Sequence, residues 1–376
     1  MIHIARLRHL SILVMNNITS SIFDSVFYSI NNILGLLIAI IDIRKRKKIG
    51  TKILICRDKY FISRGISNSE EVSNEKRLLD EALTSEGYEV VYFFWDENRG
   101  LFLNQVELWL KIKKINPWII FFSSYNVGAK SSFSSPTINF LRLLRSKIKS
   151  NFIFVWFDTC SDTFYDSQIV RLDKIKAIHL ILENPTLNFG PSFNGIKNDS
   201  LIPLWTNLVE NSFIQPLKKD IDVVFIGQTG SYRSNRREFI DYLMEQNIAC
   251  YISCFDRDAQ IDHKKYAEIL GRAKIVLNFS QSGDKDQCKG RVFESMHAES
   301  LLIENKNSQT EIWFKDGVDY VSFSDKEDMI SKINYYLAHE HERKLISKNG
   351  RNKTLKLYNS SLFLKKIFDH KDFLSK

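Results

Sequence analysis

The sequence predicts an α/β protein built as two tandem domains, each a parallel sheet covered by helices. Short, near-continuously apolar runs at 52–56 (KILIC), 89–94 (EVVYFF), 118–123 (WIIFFS), 152–157 (FIFVWF) and 178–182 (IHLIL) are spaced by longer amphipathic stretches, the pattern of strands buried on both faces. The alternation lapses after residue 204 and restarts at 223. A length of 376 residues suffices for two cores rather than one.

In chain order, the gaps of the first domain (51–204) read as helices. Leu78, Leu79 and Ala82 share a face within 75–86, as do Ile138, Leu141, Leu143 and Leu144 within 138–148. Residues 205–219, with Asn207, Asn211, Pro216 and the adjoining Lys218-Lys219-Asp220 cluster, read as a linker. The second domain (220–358) then runs strand 223–226, helix 234–246, strand 249–253, helix 262–272, strand 274–279 and helix about 290–299. Strands 300–303 and 319–323 and helices 326–339 and 341–357 follow, and 359–376 forms a closing helix. Tandem domains of this kind imply a cleft between them, and their ligands bind outside the carboxyl ends of the strands.

Hydrophobic content of 44% with 26% charged residues excludes a disordered chain. Five cysteines, an odd number with no C-x-x-C pair, exclude a disulfide framework or structural zinc site and fit a reducing, cytoplasmic setting. The net charge of +9 is unevenly placed: residues 1–50 hold seven basic and two acidic side chains. A nucleic-acid binder spreads its basic residues over the face that meets phosphates, so nucleic acid is not an expected partner. In 1–50 an apolar run densest over 33–41 ends in the basic residues 44–48. That run is about half the roughly 20 residues a span needs, which favours an N-terminal helical segment lying peripherally on an anionic membrane surface, at the inner face. The same run also fits a helix buried in a core or an oligomer interface.

Two motifs could carry chemistry. The first is Phe225-Ile226-Gly227-Gln228-Thr229-Gly230-Ser231, followed by Arg233, Arg236 and Arg237 at the head of a helix. After a strand, Gly227, Thr229 and Gly230 let backbone N–H groups approach a phosphate at a helix N-terminus, although a tight turn without a ligand has the same sequence. The second is Lys289-Gly290-Arg291-Val292-Phe293-Glu294-Ser295-Met296, which opens a helix at the sheet's carboxyl edge. Lys289 and Arg291 can meet a diphosphate, Arg291 with a two-pronged fork, and Glu294 can accept from ribose or sugar hydroxyls. A solvated helix start with an Arg291–Glu294 ion pair explains the same residues. The triplets Asp256-Arg257-Asp258 and Asp284-Lys285-Asp286 invite a metal, but they sit far from the first α/β unit and such triplets recur by chance in a charged chain.

Taken together, the pieces DVVFIG, YAEILGRAKIVLNFS, KGRVFESM, SLLIE, EIWFKDGVDYVSFSD and INYYLAHEHERKLISKNGR resemble, in order over 220–358, the nucleotide-sugar domain of group 1 glycosyltransferases, especially the CgeB-like spore-maturation branch. The resemblance implies a GT-B fold of two Rossmann-like domains, with a nucleotide-diphosphate sugar as donor substrate, no further cofactor and no metal. The expected activity is transfer of a sugar to a hydroxyl of a glycan or lipid-linked saccharide, with retention, the lipid-linked acceptor being suggested by the membrane-facing segment 1–50. By position Lys289, Arg291 and Glu294 match the family's donor-site residues. Asp286 stands where retaining relatives often carry a first Glu, and Glu299 where relatives usually carry the glycine of a helix end. The amino-terminal half matches less. Its best analogue is Asp158, at the end of the strand Val155-Trp156-Phe157, as base or hydroxyl orienter, or equally as a helix N-cap. A nucleotide-sugar epimerase and a non-catalytic membrane-associated scaffold are the rival readings.

Overall fold

The computed structural model describes residues 52–57, 60–63, 66–72, 79–94, 100–123, 136–157, 159, 175–187, 200–206, 213, 217–229, 234–254, 261, 263–282 and 285–370. The N-terminal segment 1–50, Asp158 and Gly230 lie outside these residues.

The first sheet contains β1 (Ile53–Arg57), β4 (Val90–Phe94), β5 (Ile119–Ser123), β6 (Asn151–Trp156), β7 (Ile178–Leu182) and β8 (Leu201–Leu204), in the order β4-β1-β5-β6-β7-β8. A separate hairpin, β2 (Tyr60–Ser63) and β3 (Ile66–Val72), follows β1. Every residue of β1, β5, β6 and β7 is buried, as the unbroken apolar runs require. Helices α1 (Glu81–Ser85), α2 (Gly100–Ile115) and α3 (Ile138–Lys147) occupy the gaps. Strand β8 is absent from the sequence reading because Pro203 interrupts its four residues. It pairs in parallel with β7 alone, at the sheet's edge, where a missing N–H leaves no ladder bond unmade. Strands β7 and β8 belong with residues up to 370 to one compact unit.

That unit holds the second sheet: β9 (Ile221–Gly227), β10 (Cys250–Cys254), β11 (Ala273–Asn278), β14 (Leu301–Asn305) and β15 (Val321–Phe323), all parallel, in the order β10-β9-β11-β14-β15. The two-residue strands β12 (Gln281–Ser282) and β13 (Lys285–Asp286) form a small hairpin beyond β11. Alternate residues of β9 serve opposite faces. Val223 and Phe225 pack with Ile240 and Leu243 of α4 (Ser234–Glu245), whereas Val224 and Ile226 pack with Ala267, Ile269 and Leu270 of α5 (His263–Arg272). Then follow α6 (Gly290–His297), α7 (Ser308–Trp313), α8 (Lys326–Ala338), α9 (Glu340–Leu357) and α10 (Ser360–Phe368). No described helix is long and apolar enough to cross a membrane.

The end of α6 shows how the chain manages without the expected glycine. Glu299 itself takes the left-handed conformation, φ 54°. Ser300 N donates to Ser295 O and Glu299 N to Met296 O, both at 3.0 Å, the paired bonds of a Schellman turn. Arg351 holds the Glu299 carboxylate at 2.5 Å, and Lys219 Nζ donates to the Ala298 carbonyl at 2.6 Å. The turn is therefore kept, with a side chain whose left-handed backbone costs on the order of 1 kcal/mol. Glu299→Ala loses the ion pair but keeps the strain, while Glu299→Gly loses both. Denaturant titration is expected to find the glycine variant more stable than the alanine variant by about 1 kcal/mol.

Candidate functional site

Counted from β9, the second sheet runs 2-1-3-4-5, so the chain leaves β9 and β11 toward opposite sides. Their carboxyl ends border the crevice in which doubly wound sheets hold ligands. Gly227 ends β9 and Asn278 ends β11, and α4 and α6 start at this edge. A Cβ on Gly227 would lie 3.2 Å from Arg291 Nη1, 3.2 Å from Phe225 Cζ and 3.6 Å from Arg236 Nη1. Two guanidinium groups thus converge on a strand end where a side chain would press against both the Arg291 fork and the Phe225 ring.

They differ in what they hold. Arg236 clamps the crevice, donating from Nη1 to Gln228 O at 2.9 Å and from Nη2 to Phe279 O at 2.5 Å. Arg291 donates only from Nε, to the Tyr266 hydroxyl at 3.1 Å, with its guanidinium 5.8 Å from the centre of that ring. Among the described residues, neither terminal nitrogen of Arg291 bonds to a protein group. Tyr266 in turn bonds to Glu294 Oε2. Burial holds the Tyr266 hydroxyl protonated, well above the usual tyrosine range, so it is the donor to Glu294. The Arg291–Glu294 ion pair that their spacing allows is not formed; the tyrosine hydroxyl stands between them.

Lys289 has a carboxylate partner within the protein. It occupies the N-cap position of α6, where its side chain accepts nothing, and its Nζ turns to Glu183 Oε2 at 3.1 Å. Glu183 Oε1 accepts from Gly290 N at 3.2 Å and from the Thr206 hydroxyl at 3.3 Å. This buried carboxylate, just past β7 with φ 66°, therefore caps α6 from outside the helix. Of the expected donor-site residues, Gly227, Arg291 and Glu294 come together, Thr229 is buried two residues past Gly227, and Lys289 faces Glu183. Gly230 and Asp158 fall outside the described residues. Tyr266 and Glu183 are missing from the sequence reading; Tyr266 opens the block YAEILGRAKIVLNFS, but nothing along the chain pairs it with a helix 25 residues on.

Asp286 Oδ2 accepts from Ser308 N at 2.9 Å and Ser308 Oγ at 2.7 Å, at the start of α7. Of the aspartates in the two Asp-x-Asp triplets Asp286 alone is described, and among the described residues no three His, Cys, Asp or Glu side chains are grouped to hold a metal. Behind this edge Glu304, fully buried on β14, accepts from Asn278 Nδ2 at 2.7 Å and from the Ser280 hydroxyl. Burial raises its carboxyl to about 7.

Residues 211–369 match a family model described as glycosyl transferase-like. No curated protein matches the chain in sequence. Among solved structures, the chain is similar to Anabaena HepE in complex with UDP and glucose, at 11% identity over 86% of this chain and 99% of that one, with a TM-score of 0.58. It is similar to sucrose-phosphate synthase from Thermosynechococcus elongatus, at 13% identity over 86% and 99%, TM-score 0.55. The T4 phage enzyme BGT in complex with its UDP-glucose substrate gives 13% identity over 85% and 99%, TM-score 0.53. At such identities the likeness is one of fold.

The Glu304 carboxyl yields a pH prediction. Its folded pKa lies above the unfolded value, so the stability it contributes is complete below about pH 4.5 and is lost as pH rises through about 7. Between pH 5 and 8 the wild type is expected to lose on the order of 2–3 kcal/mol from this group. Glu304→Gln should flatten that part of a denaturation profile measured against pH. An unchanged slope would show that the group titrates normally.

Proposed function

We propose that this chain, which has the GT-B fold and a glycosyl transferase-like C-terminal portion, is a glycosyltransferase that takes a sugar from a nucleotide-diphosphate donor seated at the β9–β11 edge. The observation that carries the reading is Arg291: a guanidinium held by its Nε, with both terminal nitrogens unbound among the described residues, beside a strand end whose glycine leaves the fork room. As the sugar–phosphate bond breaks, charge accumulates on the departing diphosphate, and a planar fork meets two of its oxygens at once. Glu294 spends one oxygen on Tyr266; its other carboxylate oxygen makes no protein hydrogen bond among the described residues, leaving it to accept from a donor hydroxyl. The solved structures with UDP or UDP-glucose support UDP as the first nucleotide to test. The acceptor is read as a hydroxyl of a glycan or lipid-linked saccharide, with Asp158 as the sequence's candidate to take its proton and retention as the expected outcome.

Arg291→Ala should reduce kcat/KM by the equivalent of about 2–4 kcal/mol with an unchanged circular dichroism spectrum. Arg291→Lys should recover little of it, because an ammonium cannot reproduce the fork. Assays on a panel of nucleotide sugars check both. Turnover is expected to persist in excess EDTA; complete loss restored by Mn²⁺ would transfer the leaving-group role to a metal. Full turnover in Arg291→Ala would refute the donor seat.

The lipid-linked acceptor rests on the sequence of residues 1–50. Their basic cluster should bring the protein to anionic vesicles in a salt-sensitive way, since such attraction is screened over about 8 Å at physiological salt. Removal of 1–48 should abolish vesicle binding and leave UDP binding intact, read by vesicle sedimentation and calorimetry. Indifference of the full chain to anionic vesicles at low salt would remove the support for that acceptor.

A further inference from the structure

We propose that Tyr266 is a positioning residue of the donor seat, whose hydroxyl keeps Arg291 and Glu294 apart so that each is available to the donor. This rests on the reading of Arg291 as the diphosphate ligand. Three observations carry it. Arg291 and Glu294 are three apart on α6, the spacing at which opposite charges pair on a helix, yet the Tyr266 hydroxyl takes the place of that pair, accepting from Arg291 Nε and donating to Glu294 Oε2. The tyrosine is itself fixed, with Phe213 and His263 rings against it at 6.1 and 6.0 Å and its own face near the guanidinium. Finally, the bond it takes is the one at Nε. Because the guanidinium is planar, holding Nε sets the direction of both Nη groups without using either.

Without the hydroxyl, the arginine and glutamate are free to close on one another. The fork would then be spent inside α6, and the carboxylate oxygen facing the donor hydroxyls with it. One hydroxyl thus separates two recognition functions, for phosphate and for hydroxyl groups.

Inorganic pyrophosphate, which has no ribose for Glu294 to contact, and UDP are the probes, titrated calorimetrically into the full-length protein and its variants. Tyr266→Phe keeps the ring and its packing, so its melting temperature should stay near that of the wild type, while the Kd for pyrophosphate and for UDP rises about tenfold. Adding Glu294→Gln removes the charge that captures Arg291, so the double variant should regain most of the pyrophosphate affinity, a recovery that a packing role would not produce. Tyr266→Phe binding both probes like the wild type, while Arg291→Ala binds them at least tenfold more weakly, would overturn the positioning role alone. Loss in Tyr266→Phe with no recovery in the double variant would overturn the separation of charges. Pyrophosphate and UDP binding unaffected by Arg291→Ala would instead overturn the donor seat beneath it. Should Tyr266→Phe fail to fold, side-chain NMR of the wild type decides: the Arg291 Nε–H should be slow to exchange with water, and rapid exchange would refute the bond.

Discussion

Everything at the carboxyl edge of the second sheet depends on an eight-residue helix being held still at both ends. A helix as short as α6 is far below the length that is stable in water by itself. Its first turn lacks an N-cap acceptor, since Lys289 stands there, and its last turn lacks the glycine that ordinarily closes such a helix. Both gaps are filled from elsewhere in the chain. Glu183 meets the amino end; Lys219 and Arg351 meet the other, through the Ala298 carbonyl and the Glu299 carboxylate. Arg291 and Glu294 are carried on that clamped helix, so the place from which they act is set by residues more than 50 positions away in sequence.

The division of labour among the basic residues follows. Lys289, Arg236 and Arg291 surround one edge, and two of the three are committed to the protein: Lys289 to the carboxylate of Glu183, and Arg236 to the carbonyls of Gln228 and Phe279. What singles out Arg291 is that, among the described residues, its hydrogen bond to the protein leaves the two-pronged end untouched.

The strands were legible because a parallel sheet buried on both faces must be written in continuous apolar runs, and IHLIL at 178–182 or VVFI within β9 admit little else. The site was legible where chemistry is local: a glycine after a strand, and an arginine and a glutamate one turn apart. It was illegible wherever the partner is distant. Leu201–Leu204 was hidden by a proline that only an edge strand tolerates. Glu183, in the ordinary-looking Leu182-Glu183-Asn184-Pro185, gives no sign that its carboxylate meets a helix 106 residues later. The rival reading of an Arg291–Glu294 ion pair followed from helical spacing alone and is overruled by a hydroxyl contributed by another helix.

The Arg236 clamp has a consequence for how a ligand would enter. By bonding the carbonyls that follow β9 and β11, it ties together the two loops that diverge from the switch point, and the ring of Phe279 beneath its guanidinium stiffens the same tie. The mouth of the crevice thus has a set width before anything occupies it. Because that tie is made within the protein, ordering Gln228 against Phe279 is not left to a ligand, and a ligand that fits between the two strand ends loses less conformational entropy there than it would against two untied segments.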